Sequence, residues 1–360
     1  MTAPPSISAT WPSGSKPGRR SCSISSMALN KPRAVPAFIE PQLATLVDDV
    51  PAGKAWVYEI KYDGYRTLVA ADGPAVRCYS RTGLDWTGRY PAAALAIAAL
   101  KLRDALLDGE MAVFDADGRT SFAGLQDALK RGGANIAFCA FDLLRCDGED
   151  LRRRPLVERK ARLAELLDGA PASLIYSAHL DKGGARLHSS LCRRGYEGIV
   201  AKRGDKPYAS GRSKDWLKIK CVQEQEFVVA GFMRSDARLP FASLILALHD
   251  KDGLRYSGHV GTGFSDAERS RLRAMFRSLE RATPPVTGVL PAEVRRKATW
   301  IEPRLVVQVA FTELTADGLV RHPSYRGIRE DKPAREVRAE VPARPRRKPA
   351  TPRSARMRSG

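Results

Sequence analysis

Short apolar runs alternate with amphipathic stretches through the middle of the chain, and the two patterns predict different elements. In Trp56–Ile60 a large apolar residue takes every second position, which predicts a strand. In Leu156–Leu167 leucines recur near helical spacing behind a proline, which predicts a helix. The first part of the chain gives seven strands, Trp56–Ile60, Arg66–Ala71, Val76–Ser80, Leu106–Phe114, Ile136–Leu143, Gly198–Lys202 and Trp216–Cys221, and four helices, Ala92–Leu102, Phe122–Lys130, Leu156–Leu167 and Gly184–Arg194. We therefore expect an α+β domain over residues 36–222.

The pattern changes after Cys221, where strands dominate. The predicted strands are Glu226–Phe232, Ala242–His249, Leu254–His259, Trp300–Pro303 and Leu305–Thr312. One helix interrupts them, because Ser265 and Glu268 form a capping box ahead of an apolar stripe. Five short strands and one helix favour a small Greek-key barrel such as an OB-fold. We expect this second domain over residues 223–333.

The net charge of the chain indicates the class of its binding partner. The 360 residues carry a net charge of +20, which favours a polyanionic partner such as nucleic acid. The excess is concentrated at the ends, and residues 1–35 and 334–360 are rich in Arg, Pro, Ser and Ala. That composition predicts disordered basic tails, which either stay solvated or bind phosphates nonspecifically. The acid-free start also resembles a transit peptide, and Met27 is an alternative start.

Other classes are excluded by composition. The longest apolar stretch, Pro91–Leu100, is too short for a membrane span of about 20 residues. Six cysteines without a Cys-x-x-Cys pair are neither a disulfide framework nor a zinc ribbon. We expect them to be unpaired thiols in a reducing compartment, which agrees with a cytoplasmic protein at the bacterial nucleoid.

The segment Glu59–Arg66 carries the first candidate chemistry. Lys61 follows a predicted strand, shares a face with Glu59, and precedes Gly64, which permits a turn. A lysine placed among basic neighbours can have a lowered pKa, and only its neutral amine is a nucleophile. Lys-x-Asp-Gly alone is a common motif, and a surface lysine beside a tight turn explains it equally well.

An ordered set of further motifs changes that balance. After the lysine motif come Ser80–Gly83, Leu107–Glu110, Phe141–Leu144, Glu197–Arg203, Trp216–Lys220, Arg321–Ser324 and Arg329–Lys332. Together with Phe38–Ala44 and Val260–Phe264, this set resembles the ATP-dependent DNA ligases, and in particular the ligase module of bacterial DNA ligase D. The resemblance covers about residues 36–333. It implies a nucleotidyltransferase (adenylation) domain followed by an OB-fold domain.

The resemblance implies a role for each matching residue. Lys61 would attack the α-phosphate of ATP, carry AMP and pass it to the 5′-phosphate of a nick, which the 3′-hydroxyl then attacks. Glu59 would read adenine, and Phe141 would stack on it. The other residues implied to bind the nucleotide are Arg66, Arg81, Lys202, Lys218, Lys220 and Arg329, with Asp331 and Lys332 beside the last.

Two carboxylates, Glu110 and Glu197, would hold Mg²⁺ or Mn²⁺, since these hard ions prefer oxygen ligands. Asp63 either assists the metal or simply forms the turn. Lys202 lies five residues after Glu197, an odd offset that places the two on opposite faces of a regular strand. Either Gly198 turns the chain or one of the two residues lies outside the strand, and the spacing leaves this open.

The expected partner is nicked or broken duplex DNA, and the resemblance adds a Ku-like end-binding protein. No segment fits the polymerase or phosphoesterase modules of DNA ligase D, so we expect a stand-alone, monomeric ligase. An RNA ligase or RNA-capping nucleotidyltransferase is the alternative within enzymes. A non-catalytic nucleic-acid-binding module is the alternative outside them.

Overall fold

The computed structural model of this chain describes residues 35–343, apart from positions 238, 289 and 316. The first expected tail, together with Met27, lies almost wholly outside the described residues, as do residues 344–360 of the second. No helix within the described part of the chain is long and apolar enough to cross a membrane.

The first domain contains eleven of the strands and four of the α-helices. Its strands are β1 (Gln42–Leu46), β2 (Trp56–Ile60), β3 (Tyr65–Asp72), β4 (Ala75–Ser80), β5 (Ala105–Ala112), β6 (Ala137–Cys146), β7 (Glu149–Asp150), β8 (Leu174–Tyr176), β9 (His179–Leu180), β10 (Gly198–Arg203) and β11 (Gly211–Lys220). Its helices are α1 (Pro91–Ala99), α2 (Phe122–Lys130), α3 (Leu156–Leu166) and α4 (Gly184–Arg193), and a 3₁₀ turn covers Thr87–Arg89.

These strands form two sheets. One has the order β1-β11-β10-β2-β9 and is antiparallel except for the β1–β11 pair. The other has the order β4-β3-β5-β6-β7, with β8 added in parallel on β6. An apolar cluster that includes Leu68 of β3, Phe141 of β6 and Trp216 of β11 joins the two sheets. This cluster packs β3 and β6 of one sheet against β11 of the other.

The second domain is also mixed. Its strands are β12 (Gln223–Met233), β13 (Ser243–His249), β14 (Leu254–Val260), β15 (Glu280–Arg281), β16 (Ala298–Ile301), β17 (Val306–Phe311), β18 (Glu313–Leu314), β19 (Val320–Arg321) and β20 (Ser324–Ile328). Its helices are α5 (Asp266–Phe276) and α6 (Ala292–Lys297). The N-cap half of the expected capping box is present, since the Ser265 hydroxyl accepts a hydrogen bond from the Glu268 N–H at 3.2 Å, but the Glu268 carboxylate contacts Lys130 and Tyr325 instead of the Ser265 N–H. The second helix, α6, was not predicted.

The main sheet of this domain has the order β14-β13-β12-β16-β15, while β17 pairs with β12 and β20. Among the described strands these pairings do not form a closed cycle, so the expected closed barrel is not what the structure shows. The segment after β14 contacts β20 through an isolated bridge between Thr262 and Ser324 and through the stacked rings of Phe264 and Tyr325, but β14 itself does not pair with β20. The long strand β12 organises the domain, because it pairs with three neighbours.

The two domains are joined by only two residues, Cys221 and Val222, between β11 and β12. They also meet at the end of β20, where the carbonyl of Ile328 accepts hydrogen bonds from Gln126 and from the Tyr65 hydroxyl. The segment after β20 is thereby held against the first domain.

Two expectations about the chain differ from the structure. Residues 334–343 are not a free tail: a 3₁₀ turn spans Ala334–Glu336, and Val337 is fully buried against the second domain. The expectation of unpaired thiols is wrong for Cys192 and Cys221, which form a disulfide with their Cα atoms 5.0 Å apart. Spacing along the chain could not show that the end of α4 meets the interdomain connection. Cys78, Cys139 and Cys146 are free and buried.

Candidate active site

The turn after β2 places the candidate nucleophile. Lys61 directly follows the strand, and its N–H donates to the carbonyl of Gly198 at 3.0 Å. A Cβ at position 64 would lie 2.1 Å from the carbonyl oxygen of Met111, so only glycine allows the chain to pass β5 this closely. The turn therefore fixes the Lys61 amine between the two sheets.

Lys61 is not a free amine in this structure. Its Nζ forms an ion pair with Glu197. Burial lowers the pKa of Lys61, but Glu197, Asp63 and Glu110 outweigh it and raise the pKa above its usual value. This overturns the expectation of a lowered pKa, because the nearest neighbours of the amine are acidic rather than basic.

Glu197 lies one residue before β10, which settles the question of its offset from Lys202. Gly198 has a φ of +149°, and a Cβ there would lie 2.1 Å from the carbonyl oxygen of Ile219. Glu197 therefore turns toward Lys61 from outside the strand, while Lys202 lies within it.

Asp63, Glu110, Glu197 and Glu224 form an acidic cluster beside Lys61. Burial, with Glu197 and Glu224, raises the pKa of Asp63 to about 8, and burial raises that of Glu110 to about 7. One oxygen each of Glu197 and Glu224 is buried without a hydrogen bond. Oxygen ligands with excess negative charge and no donor suit a divalent cation of the Mg²⁺ or Mn²⁺ type.

On the other side of Lys61, Glu59 is the centre of a basic triad with Lys160 and Lys202. Both lysine amines lie 2.9 Å from its carboxylate oxygens, and the Ser177 hydroxyl donates to the same carboxylate at 3.1 Å. All three triad side chains are at most 2% exposed. Glu59 is therefore held by two ion pairs and one hydrogen bond, while its Oε1 has no hydrogen-bond donor and remains an acceptor.

The charges of the triad shift two of its pKa values. Burial raises the pKa of Glu59, but Lys160 and Lys202 outweigh it and lower the pKa below its usual value. Burial and the nearby Lys160 lower the pKa of Lys202 to about 8, against the pull of Glu59. Two ammonium groups share one carboxylate, so the triad keeps one positive charge in excess.

The aromatic wall of the site contains Phe141 and Trp216. The Lys202 amine lies 4.1 Å and 4.2 Å from the two ring centroids, and the Arg66 guanidinium lies 4.5 Å from that of Phe141. Arg66 also makes a two-point contact with Asp108, at 2.5 Å and 2.7 Å. This contact raises the pKa of Arg66 despite burial and fixes the guanidinium at the ring.

Lys218 and Lys220 point to the same side of β11, as their alternation predicts, and both contact the carboxylate of Glu340. From the second domain, Arg329 contacts Asp331 at 2.8 Å and 2.9 Å and donates to the Gly64 carbonyl at 3.4 Å. The end of the second domain thus covers the turn that holds Lys61.

The structure brings every predicted site residue to one of two adjoining cavities. The first has a volume of about 190 Å³ and is lined by, among others, Glu59, Lys61, Arg66, Arg81, Glu110, Phe141, Lys202, Lys218 and Arg329. The second, of about 90 Å³, adds Glu197 and Lys220. A larger cavity of about 650 Å³ lies in the second domain, but none of the predicted residues lines it.

The sequence did not single out Lys160, Trp216, Asp108 or Glu340 as site residues. Lys160 lies on an otherwise ordinary amphipathic helix, and Glu340 lies in an expected tail. Trp216 lies in the motif Trp216–Lys220, whose presence in the ordered set was a signal for the site. Asp108 lay in another quoted motif without an assigned role.

Comparison with known proteins defines the class. The family described as "ATP dependent DNA ligase domain" matches residues 41–220, and "ATP dependent DNA ligase C terminal region" matches residues 237–332. This chain belongs to the ATP-dependent DNA ligases.

Two curated relatives are similar to most of the chain. "Multifunctional non-homologous end joining protein LigD" of Pseudomonas aeruginosa is 41% identical over 317 residues, and that of Mycolicibacterium smegmatis is 36% identical over 287 residues. The matches cover 86% and 79% of this chain but only 38% and 37% of those proteins. A solved structure, "mycobacterial DNA ligase D complexed with ATP and MES", has a TM-score of 0.60 at 35% identity, covering 82% of this chain and 97% of that one.

Proposed function

We propose that this chain is an ATP-dependent DNA ligase that seals nicks between a 5′-phosphate and a 3′-hydroxyl through AMP carried on Lys61. The observation that carries the proposal is the position of the Lys61 amine between a basic triad and an acidic cluster. Family membership supports it, as does the similarity to a DNA ligase D structure described as complexed with ATP.

In this proposal apolar, basic and acidic residues have different roles in adenylation. Phe141 and Trp216 form the apolar wall for adenine, and Lys202 with the Lys218–Lys220 pair faces the phosphates. Glu197 holds the Lys61 amine and is placed to accept its proton before attack. The amine then forms a bond to the α-phosphorus while the bond to the β-phosphate oxygen breaks and pyrophosphate leaves.

The acidic cluster would hold the divalent cation, with Glu110 and Glu197 as ligands and Asp63 beside them. When bound, the cation neutralises negative charge around the phosphates and around Lys61. The unbonded buried oxygen of Glu197 and the raised pKa values of Asp63 and Glu110 support this assignment. Without the cation these carboxylates repel one another.

The test is a covalent adduct. Incubation with ATP labelled on the α-phosphate and Mg²⁺ should give a labelled protein that Lys61→Ala abolishes. Lys54→Ala removes an exposed lysine of the same domain and serves as the matched control. Labelling that persists in Lys61→Ala would contradict the assignment of the nucleophile.

The adduct alone does not identify the polynucleotide. We expect the labelled protein to release AMP when given a singly nicked DNA duplex with a 5′-phosphate, and to seal it. Preferential sealing of nicked RNA, or use of GTP, would instead support the RNA ligase or capping alternative. A chain that binds DNA but never forms the adduct would be the non-catalytic module.

An end-joining role at the bacterial chromosome is a further part of the proposal. Its support is the name of the two relatives, each of which is much longer than this chain. A Ku-like end-binding protein should then stimulate the joining of linear duplexes more than the sealing of a single nick. Equal rates with and without that protein would remove this part.

A further inference from the structure

A short segment at the end of the described chain crosses from the second domain to the first. We call residues 334–343 the C-terminal strap. Val337 anchors it, since its side chain is fully buried and its carbonyl accepts a hydrogen bond from the N–H of His249 at 2.9 Å. Further on, the N–H of Ala343 donates to the carbonyl of Leu46 at 3.0 Å. The two anchors thereby hold Glu340 at the wall of the two site cavities described above.

Glu340 is the strap residue that enters the site. Its two carboxylate oxygens lie 2.5 Å from the Lys218 amine and 2.9 Å from the Lys220 amine. Its N–H donates to the Gln225 side chain at 2.9 Å, which fixes the backbone at this point. The side chain is only 18% exposed. Glu340 therefore forms an ion pair with each of Lys218 and Lys220 within the same chain.

The electrostatics agree with a tight contact. Burial raises the pKa of Glu340, but Lys220 and Lys218 outweigh it and lower the pKa to about 2. The neighbouring carboxylate, Glu226, forms its ion pair with Lys332 at 3.2 Å, although Lys218 and Lys220 also help to lower its pKa, and the Lys220 amine also donates to the Glu224 carbonyl. One carboxylate thus occupies both amines of the Lys218–Lys220 pair and cancels one of their two charges, in a place where the proposed function needs both amines for phosphate.

We propose that Glu340 substitutes for phosphate in the nucleotide-free enzyme and thereby determines which ligands enter the phosphate subsite. This inference rests on the proposed function, which assigns Lys218 and Lys220 to the phosphates. One carboxylate contributes one negative charge, whereas a triphosphate or pyrophosphate contributes several. Polyphosphates therefore displace Glu340 from both amines, while a ligand without phosphate leaves it in place.

Equilibrium binding tests this without any reaction. In a Lys61→Ala background, calorimetric titration gives the Kd of ATP, of inorganic pyrophosphate and of adenosine. Because E340Q removes a charge-assisted contact that competes with the ligand, we expect it to lower the Kd of ATP and pyrophosphate by about tenfold. The Kd of adenosine should not change. Glu313→Gln makes the same substitution at a position that is 63% exposed and is the matched control.

A Tm measurement and a second variant, Glu340→Asp, complement the binding experiment. Without ligand, E340Q should have a lower Tm than the wild type, because Lys218 and Lys220 then repel each other, and pyrophosphate should restore it. Glu340→Asp keeps the charge but withdraws it by one methylene, so its Kd for pyrophosphate should lie between the other two. It serves in place of E340Q if that variant does not fold.

The outcomes separate this inference from the proposed function. Equal Kd values for pyrophosphate with Glu340 and with E340Q in the Lys61→Ala background, or weaker pyrophosphate binding in E340Q, would overturn the role of Glu340. Failure of the chain with an intact Lys61 to form the labelled adduct would overturn the proposed function. Pyrophosphate binding is measured independently of that adduct.

Discussion

The basic triad and the acidic cluster lie on opposite sides of Lys61 and carry opposite excess charge. Glu59, Lys160 and Lys202 are joined by two ion pairs and keep one positive charge in excess; even the Glu59 oxygen without a hydrogen bond lies 2.9 Å from the Lys160 amine. The acidic cluster has several carboxylates around one amine, and two of its oxygens have no hydrogen bond. The carboxylate of the triad is therefore paired with two amines, whereas several carboxylates of the acidic cluster face the single amine of Lys61.

We expect the basic triad to contribute mainly to the stability of the fold and the acidic cluster mainly to activity. A satisfied buried network rigidifies a site, while an unsatisfied one costs stability that a ligand restores. The triad should behave as part of the core, and the acidic cluster as a site that opposes folding until it is occupied. Three measurements test the contrast.

The largest effect is expected from Lys160→Met. The lysine is fully buried, and its removal breaks a buried ion pair, which costs about 3–5 kcal/mol of unfolding free energy. Urea unfolding measures this loss. Lys130→Met, at a lysine whose side chain is 43% exposed, should cost about 1 kcal/mol or less. Equal costs in the two variants would show that the triad is not structural.

Glu110→Gln is expected to change the free energy of unfolding in the opposite direction from Lys160→Met. Burial disfavours the charged carboxylate, so a neutral side chain of the same shape should stabilise the metal-free protein at pH 8 by about 1–3 kcal/mol. Lysine adenylation should fall at the same time, and Mn²⁺ should raise the Tm less than in the wild type. Glu158→Gln, at an exposed helix position, is the control. A destabilised Glu110→Gln would contradict the described contrast.

The smallest effect is a pH dependence that comes from Lys202. Its pKa is about 8 in the folded protein and 10.5 in the absence of burial. Between these values the unfolded chain binds the proton that the folded chain has lost, so stability rises with pH, by about 1 kcal/mol per unit. Unfolding of the wild type relative to Lys202→Met, followed from pH 8 to 10, isolates this contribution. A difference that does not change with pH would contradict it.

Local patterns predicted the elements that hold the site. The strand Trp56–Ile60 and the helix Phe122–Lys130 have the predicted bounds, and the alternation of Lys218 and Lys220 gave their common side. Local periodicity and capping suffice for such elements, because they depend on neighbouring residues.

Nonlocal contacts could not be predicted in this way. The partners of Glu59 lie 101 and 143 residues further along the chain, at Lys160 and Lys202, and the partners of Glu340 lie in another domain. The pKa of Lys61 was predicted with the wrong sign for the same reason, since Glu197 reaches it from a distant turn. Motif order indicated which residues meet, but only the fold shows which of them neutralise one another.

The disulfide between Cys192 and Cys221 has a consequence for the covalent connectivity of the chain. The ring that it closes contains Glu197, Lys202, Lys218 and Lys220. Within this ring, the connection between β10 and β11 exposes Asp205, Pro207 and Ser210 to proteases. A molecule cut there remains one covalent unit until it is reduced, so its two fragments separate in an electrophoretic gel only when a reducing agent is present.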